Sequence, residues 1–181
     1  EASTNAKLAN IFVNGNAISN FQPSLYSYTV ELPYGTTTAP QVSAEAQEEE
    51  QVISITQPTS TTGTATIVVT AADKKTTATY TIQFKVAMLV DNTLKDIKVN
   101  GESVSGFTPN QTSYRVSLPT STTSLPEVEA ISAYPDGEQT IKHTAPSVLD
   151  GGVYQISVST PGNPTPKVYK LTFKLDASDY S

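Results

Sequence analysis

The residues of this chain that could do chemistry are few, and their spacing forms no recognisable active site. The sequence of 181 residues contains one histidine, His143, and no cysteine. The absence of cysteine excludes a thiol nucleophile and a cysteine-based metal site. A single histidine leaves little for a histidine-built metal site or a serine–histidine–aspartate relay. We therefore predict no catalytic residues, no metal site and no cofactor.

The acidic residues occur in patterns typical of turns. A glycosidase needs two carboxyl groups about 5 Å or about 6.5–9.5 Å apart across a cleft. The run Glu48–Glu50 lies between two predicted strands and reads as a solvated turn. Asp136 and Glu138 flank a glycine, and Asp150 precedes two glycines, which is also turn chemistry. An enzyme is therefore the least favoured class of function.

Composition and charge indicate a β-protein that does not bind nucleic acid. The chain has 27 threonines and 19 serines, with only 15% charged residues. Threonine, valine, isoleucine and tyrosine suit the pleated surface of a sheet. The net charge of −6 disfavours binding to a phosphate backbone. The longest apolar run, 86–90, is far shorter than the roughly 20 residues needed to span a bilayer, so no transmembrane segment is predicted.

The chain contains an internal repeat, in which the second half recapitulates the first. Shifting the sequence by 86 residues superposes most large residues of the first half on the second, and the offset becomes 89 further along. We therefore predict two homologous modules at 1–87 and 91–181, with the three extra residues of the second in the turn 146–152. The aromatic residues that recur in both copies are predicted core residues: Phe21 with Phe107, Tyr28 with Tyr114, Tyr80 with Tyr169, and Phe84 with Phe173.

Alternation of apolar and polar residues predicts antiparallel strands throughout both modules. The first strand, 8–13, ends in Asn14-Gly15, a dipeptide suited to a two-residue hairpin turn, and the second module repeats it with Asn100-Gly101. Tyr26 alternates with the apolar residues that follow it and is expected on the buried face. The further predicted strands are 41–46, 51–57, 64–71 and 78–86, then 127–133, 139–144, 153–159 and 167–175. Six or seven short strands per module favour a two-sheet sandwich.

Both modules carry one pattern of residues, which in the first module is Leu8-x-x-Ile11-x-Val13-x-Gly15, then Phe21-x-Pro23, Tyr28-x-Val30-x-Leu32-Pro33 and Tyr80-x-Ile82-x-Phe84. This pattern resembles the bacterial cadherin-like β-sandwich repeat, over nearly the whole chain. The resemblance implies an all-β fold of two tandem immunoglobulin- or cadherin-like antiparallel β-sandwiches. It also implies a secreted or surface-anchored bacterial protein, often with glycan-degrading or glycan-binding domains beside the repeats.

Animal cadherins bind calcium at their module junctions, but this junction is poor in oxygen ligands. It offers Asp91 and Asn92, with Asp96 nearby. Calcium takes about six to eight oxygens, so these residues are too few without distant help. We expect no junction ion.

Glycan binding would need exposed flat aromatic rings, and the sequence has no tryptophan. The candidate ligand-binding residues are three aromatics that the two modules do not share: Phe12, Tyr34 and Tyr134. Phe12 lies between inward-facing Ile11 and Val13, so alternation puts it on the outer face of its strand. An exposed Phe can mark an interface.

The lack of an active-site constellation favours a non-enzymatic spacer or interaction module. The cadherin-like resemblance implies that it belongs to a larger secreted or surface-anchored bacterial protein, in a glycan-utilisation context. Its partners would be the neighbouring domains of that protein, and a polysaccharide or a surface protein. The alternative is a carbohydrate-binding module that uses the three exposed aromatics.

Overall fold

The structure, a computed structural model, describes residues 1–134 and 137–176. In this part of the chain all regular structure is β, with strands in four sheets. No helix in it is long and apolar enough to cross a membrane. The chain divides into two compact units, of which the first is Glu1–Ala87 and the second begins at Met88. The expectation of an all-β fold made of two β-sandwiches is confirmed.

Each unit combines a three-stranded and a four-stranded sheet. In the first unit the sheet orders are β2-β1-β4 and β3-β7-β6-β5, and in the second they are β9-β8-β11 and β10-β14-β13-β12. The first unit contains β1 Leu8–Val13, β2 Asn16–Ala17, β3 Ser27–Leu32, β4 Val42–Ala46, β5 Val52–Thr56, β6 Thr64–Thr70 and β7 Thr77–Val86. The second contains β8 Leu94–Val99, β9 Glu102–Ser103, β10 Ser113–Leu118, β11 Val128–Ser132, β12 Thr140–Thr144, β13 Val153–Thr160 and β14 Asn163–Leu175.

The predicted two-residue hairpin turn is present at the start of each unit. Val13 pairs with Asn16 across it, and the backbone φ angles are 49° at Asn14 and 83° at Gly15. Two successive positive φ angles match the right-handed twist of the flanking strands, which explains the Asn-Gly dipeptide. The Asn14 side chain also accepts a hydrogen bond from the Gln41 backbone N–H, at 2.9 Å, and thereby ties the turn to the start of β4.

One strand pair in each unit departs from the antiparallel pattern. The edge strand β3 pairs in parallel with β7, and β10 pairs in parallel with β14. Parallel neighbours need a long connection between them. The chain makes that connection through β4, β5 and β6, and again through β11, β12 and β13. Period-two alternation gives no information on strand direction, so the sequence could not reveal these pairs.

Each unit buries its own apolar core between its two sheets, and the recurring aromatics largely lie there. Tyr80, Phe84, Tyr169 and Phe173 are almost fully buried, and Tyr28 and Tyr114 are also buried. Phe21 and Phe107 are only half-buried and pack against the edge of the core. Their rings lie 5.9 Å from Tyr28 and 5.6 Å from Tyr114, so they cap tyrosines of the core rather than fill its centre.

The expectation that Tyr26 belongs to the buried face is wrong. Its side chain is 39% exposed. Strand β3 begins at Ser27, so the alternation that buries Tyr28 does not extend back to Tyr26. The Tyr26 ring instead lies at the surface, with its centroid 4.9 Å from that of Tyr80.

The three extra residues of the second unit fall in two connections rather than one. Strands β1 to β4 correspond to β8 to β11 at an offset of 86, β5 to β12 at 88, and β6 to β13 at 89. Two residues are therefore added between β11 and β12, and only one in the predicted turn between β12 and β13. The intermediate offset rests on a short match, chiefly Gln51 with Gln139 and Ile53 with Ile141.

Candidate functional site

One buried tyrosine holds the same place in each unit, Tyr80 in the first and Tyr169 in the second. The Tyr80 hydroxyl accepts a hydrogen bond from the Leu8 N–H at 3.0 Å and donates one to the Pro23 carbonyl at 2.6 Å. Tyr169 makes the same bonds with Leu94 and Pro109. Burial raises the pKa of both tyrosines above 10.0. These hydroxyls satisfy backbone groups and are inaccessible, so they serve the fold rather than a ligand.

A buried glutamine in each unit was missed by sequence reasoning. Gln139 donates from Nε2 to the carbonyls of Asp91 and Thr93, at 3.1 and 2.8 Å, while its Oε1 accepts from the Ser132 hydroxyl at 2.7 Å. Gln51 holds the corresponding place in the first unit and bonds the carbonyls of Asn5 and Lys7. The shared glutamine at an offset of 88 is the signal that could have revealed the pair.

The single histidine lies in a small aromatic cluster. His143 Nδ1 is 2.8 Å from the Tyr154 hydroxyl, and the two rings meet edge to face at 5.7 Å. The Tyr154 ring lies in turn 6.3 Å from Phe173 of the core, and burial raises the Tyr154 pKa. His143 itself is exposed on edge strand β12. The contacts give it a place in packing, and no carboxylate orients its ring in the described residues.

The acidic candidates that the structure describes are engaged in turns. Glu48 accepts from the Ser3 hydroxyl at 3.0 Å beside a turn whose other glutamates are exposed. Asp150 accepts from the Leu175 N–H at 3.0 Å, and this bond is the main reason that its pKa is lowered. Glu138 is half-buried, and Asp136 lies outside the described residues. The described candidates thus lie in three separate connections, between β4 and β5, between β11 and β12 and between β12 and β13.

The junction residues hold the start of the second unit. Burial acts to raise the Asp91 pKa, but hydrogen bonds from Thr93 and Tyr134 outweigh it, so the pKa is lowered. Asp96 accepts from the Ile97 N–H and the Ser103 hydroxyl, and Asn92 donates to the Thr165 carbonyl. Across residues 1–134 and 137–176, no three histidine, aspartate or glutamate side chains cluster in a way that could hold a metal ion.

The three candidate ligand-binding aromatics lie in different elements. Phe12 is half-buried on β1, the central strand of its sheet, and Tyr34 is 39% exposed in the turn after β3. Tyr134 is half-buried in the second unit and donates its hydroxyl hydrogen to Asp91 at 3.0 Å. Tyr34 thus keeps the exposure that a sugar platform needs, whereas Tyr134 also has a structural role.

Both units carry a groove at the same place, between the first hairpin and the following edge strand. Its volume is about 470 Å³ in the first unit and about 570 Å³ in the second. The hairpin side includes Ile18 or Val104, and the strand side includes Val30 or Val116. None of the three candidate aromatics lines either groove.

Comparison with known proteins gives two partial matches. Over 85 residues, or 46% of the chain, it is 41% identical to a gellan lyase from Bacillus sp. Over 86 residues, also 46% of the chain, it is 34% identical to an exo-beta-1,6-galactobiohydrolase from Bifidobacterium longum subsp. longum. The chain is similar to part of two glycan-degrading enzymes. It spans only 3% and 6% of the lengths of these relatives. No family model and no solved structure matches it.

Proposed function

We propose that this chain is a non-catalytic pair of accessory modules in a larger glycan-degrading bacterial protein, secreted or held at the cell surface. The observation that carries the proposal is the size of the matches. Each covers a stretch close to the length of one β-sandwich unit and only a few per cent of a glycan-degrading relative. A segment that small leaves the rest of such a protein for catalysis.

The side chains of the described residues support a non-catalytic role. The buried polar groups of Tyr80, Tyr169, Gln51 and Gln139 are bonded to backbone atoms of their own unit. The one histidine is bonded to a tyrosine, and the acidic candidates that the structure describes lie in connections between strands. An active site would require a nucleophile, base or acid pair placed around a shared cleft.

Within the larger protein we propose that the two units act as a spacer or interaction module toward neighbouring domains. The cadherin-like resemblance supports this role, because sandwich repeats specify a scaffold and leave function to their surfaces. Their partners would be the flanking domains, together with a polysaccharide or a surface protein.

The catalytic part of the proposal is tested by incubating the whole chain with gellan and with a β-1,6-galactan. Release of reducing ends and the ultraviolet absorbance of unsaturated sugars are followed, and no product is expected. Product formed at a rate proportional to the chain concentration would contradict the proposal. In the parent protein, deletion of this segment is expected to leave kcat on a short soluble oligosaccharide within about twofold of its original value.

The same deletion is expected to lower activity on an insoluble or cell-bound polysaccharide, where reach or attachment matters. A loss of kcat on the soluble oligosaccharide comparable to the loss on the insoluble one would mean that the segment contributes to the catalytic site itself.

A further inference from the structure

One sheet of the second unit has an outer face that is basic although the chain as a whole is acidic. The buried residues of β10, β13 and β14 face the core, so the alternate residues of these strands face outward. The basic side chains on this outer face are Arg115, Lys142, Lys170 and Lys174, and we call them the basic face. They are four of the eleven basic residues in a chain of net charge −6.

The other outward positions on these strands are neutral. Hydroxyl and amide side chains dominate them, and no aspartate or glutamate occupies one: Ser113, Ser117, Thr140, Thr144, Val153, Gln155, Ser157, Ser159, Val168 and Thr172. The face therefore presents positive charges separated by hydrogen-bonding groups, with no aromatic ring among them.

The strand register arranges three of the four charges, Arg115, Lys170 and Lys142, along one diagonal of the sheet, with Lys174 to one side of it. Arg115 pairs with Thr172 on the neighbouring strand β14, and Thr172 is two residues from both Lys170 and Lys174. Lys142 pairs with Ser157, and Ser157 pairs with Val168, which precedes Lys170 by two residues on β14. With strands about 4.8 Å apart and residues about 3.4 Å apart along a strand, the line extends over roughly 20 Å.

Half of these charges form no ion pair with a residue that the structure describes. Arg115 forms an ion pair with Asp176 at 2.9 Å, and Lys174 forms one with Asp150 at 3.6 Å. Lys142 and Lys170 are exposed, and neither forms an ion pair with a described residue. Exposed ion pairs contribute little net stability, so a carboxylate from outside can replace Asp176 or Asp150 at small cost.

The first unit shows that the fold does not require this charge. At the positions that correspond to Arg115, Lys142 and Lys170 it has Thr29, Ser54 and Thr81. The position of Lys174 is occupied by Lys85, which pairs with Glu31 at 3.7 Å. The two units thus have the same architecture, but at three of these four positions a neutral residue in the first unit is replaced by a basic residue in the second.

We propose that the basic face binds an extended acidic polysaccharide. The guanidinium and ammonium groups would pair with carboxylates along the glycan, and the intervening hydroxyl and amide groups would bond its hydroxyls. A line of charges on an open sheet suits a linear polyanion, whereas a small ligand would need a concave pocket. The choice of a polysaccharide rests on the proposed function, that of an accessory module in a glycan-degrading protein.

The test is biolayer interferometry of the whole chain on immobilised polygalacturonate, with neutral pullulan as the matched surface. The triple variant R115T/K142S/K170T carries the residues of the first unit and is therefore expected to fold, which circular dichroism checks. Removal of three of the four charges is expected to weaken binding to polygalacturonate by at least about tenfold. Raising NaCl from 50 mM to 300 mM is expected to weaken binding of the unmodified chain at least about fivefold.

The control variant K7T/K75S/K95T removes the same total charge from exposed positions elsewhere and is expected to retain binding within about twofold. Equal loss in the two variants, equal binding to pullulan, or no binding to polygalacturonate would overturn the proposal. So would tighter binding to DNA or to phosphatidylglycerol vesicles than to polygalacturonate. Failure here leaves the accessory role untouched, because that role is overturned by cleavage of a glycan and not by absence of binding.

Discussion

Replacing Tyr80 by phenylalanine removes one buried atom and tests the bond that joins the start of β1 to the core. The Tyr80 hydroxyl accepts from the Leu8 N–H at 3.0 Å, and both residues are fully buried. The hydroxyl also donates to the carbonyl of Pro23, which is an exposed residue. In the variant water can reach the Pro23 carbonyl, but the Leu8 N–H is left without a partner in the core.

The cost follows from that difference. A buried donor left without a partner costs about 1–3 kcal/mol, whereas the loss of a bond to a solvent-accessible carbonyl costs little. We therefore expect Tyr80→Phe to lower the free energy of unfolding of the first unit by about 2 kcal/mol. For a domain of this size that corresponds to a fall in Tm of about 8–16 °C.

Urea unfolding followed by circular dichroism gives the magnitude, and hydrogen exchange with mass spectrometry shows which unit is affected. Tyr169→Phe is the twin variant and should produce the same loss in the second unit. Tyr26→Phe removes the same atom from an exposed ring whose hydroxyl bonds no described residue, so a change within about 0.5 kcal/mol is expected. A loss for Tyr80→Phe no larger than that of Tyr26→Phe would refute the reasoning.

Two pH dependences follow from the shifted pKa values. Burial raises the pKa of Tyr80 and Tyr169 above 10.0; the folded state therefore keeps protons that the unfolded state releases, and stability is expected to fall as pH rises above 10. Urea midpoints measured from pH 9 upward check this, and a Tyr80→Phe curve as steep as that of the unmodified chain would contradict it. The Asp91 pKa is lowered from 3.8, so its contribution is complete above pH 3.8 and is lost as pH falls below it. Asp91→Asn should flatten the acid unfolding curve at little cost near neutral pH, because Asn5 caps the first unit in the same way; an unchanged acid midpoint would argue against it.

The fold was predictable because the chain contains the same pattern twice. Apolar alternation located the strands to within a few residues, and Asn-Gly located the hairpin turn through its backbone requirement. The parallel pairing of β3 with β7 was not predictable, because alternation records which face a residue occupies and not the direction of its strand. Tyr26 was wrongly expected on the buried face because the alternation of apolar and polar residues extends one residue before the start of β3 at Ser27.

The candidate sites were less predictable, because their properties depend on partners distant in sequence. Gln51 and Gln139 look like ordinary polar residues until the fold brings to them the carbonyls of the segment before β1 or β8, more than 40 residues away. The half-buried state of Phe12 and the hydroxyl bond of Tyr134 to Asp91 are likewise tertiary. Of the three aromatic residues considered as glycan-binding candidates, Tyr34 is the one that remains exposed. A glycan array would test whether it contributes to binding.

The duplication separates the residues that hold the fold from those free to acquire a function. Positions with a buried structural bond are the same in both units, as Tyr80 and Tyr169 show. The outward positions of the four-stranded sheets are under no such requirement, and there the units differ most clearly in charge: Thr81 in one corresponds to Lys170 in the other. A binding function that distinguishes the two units should therefore be sought on these outer faces. Sequence motifs do not reveal such a function, because the fold does not constrain the residue types on these outer faces.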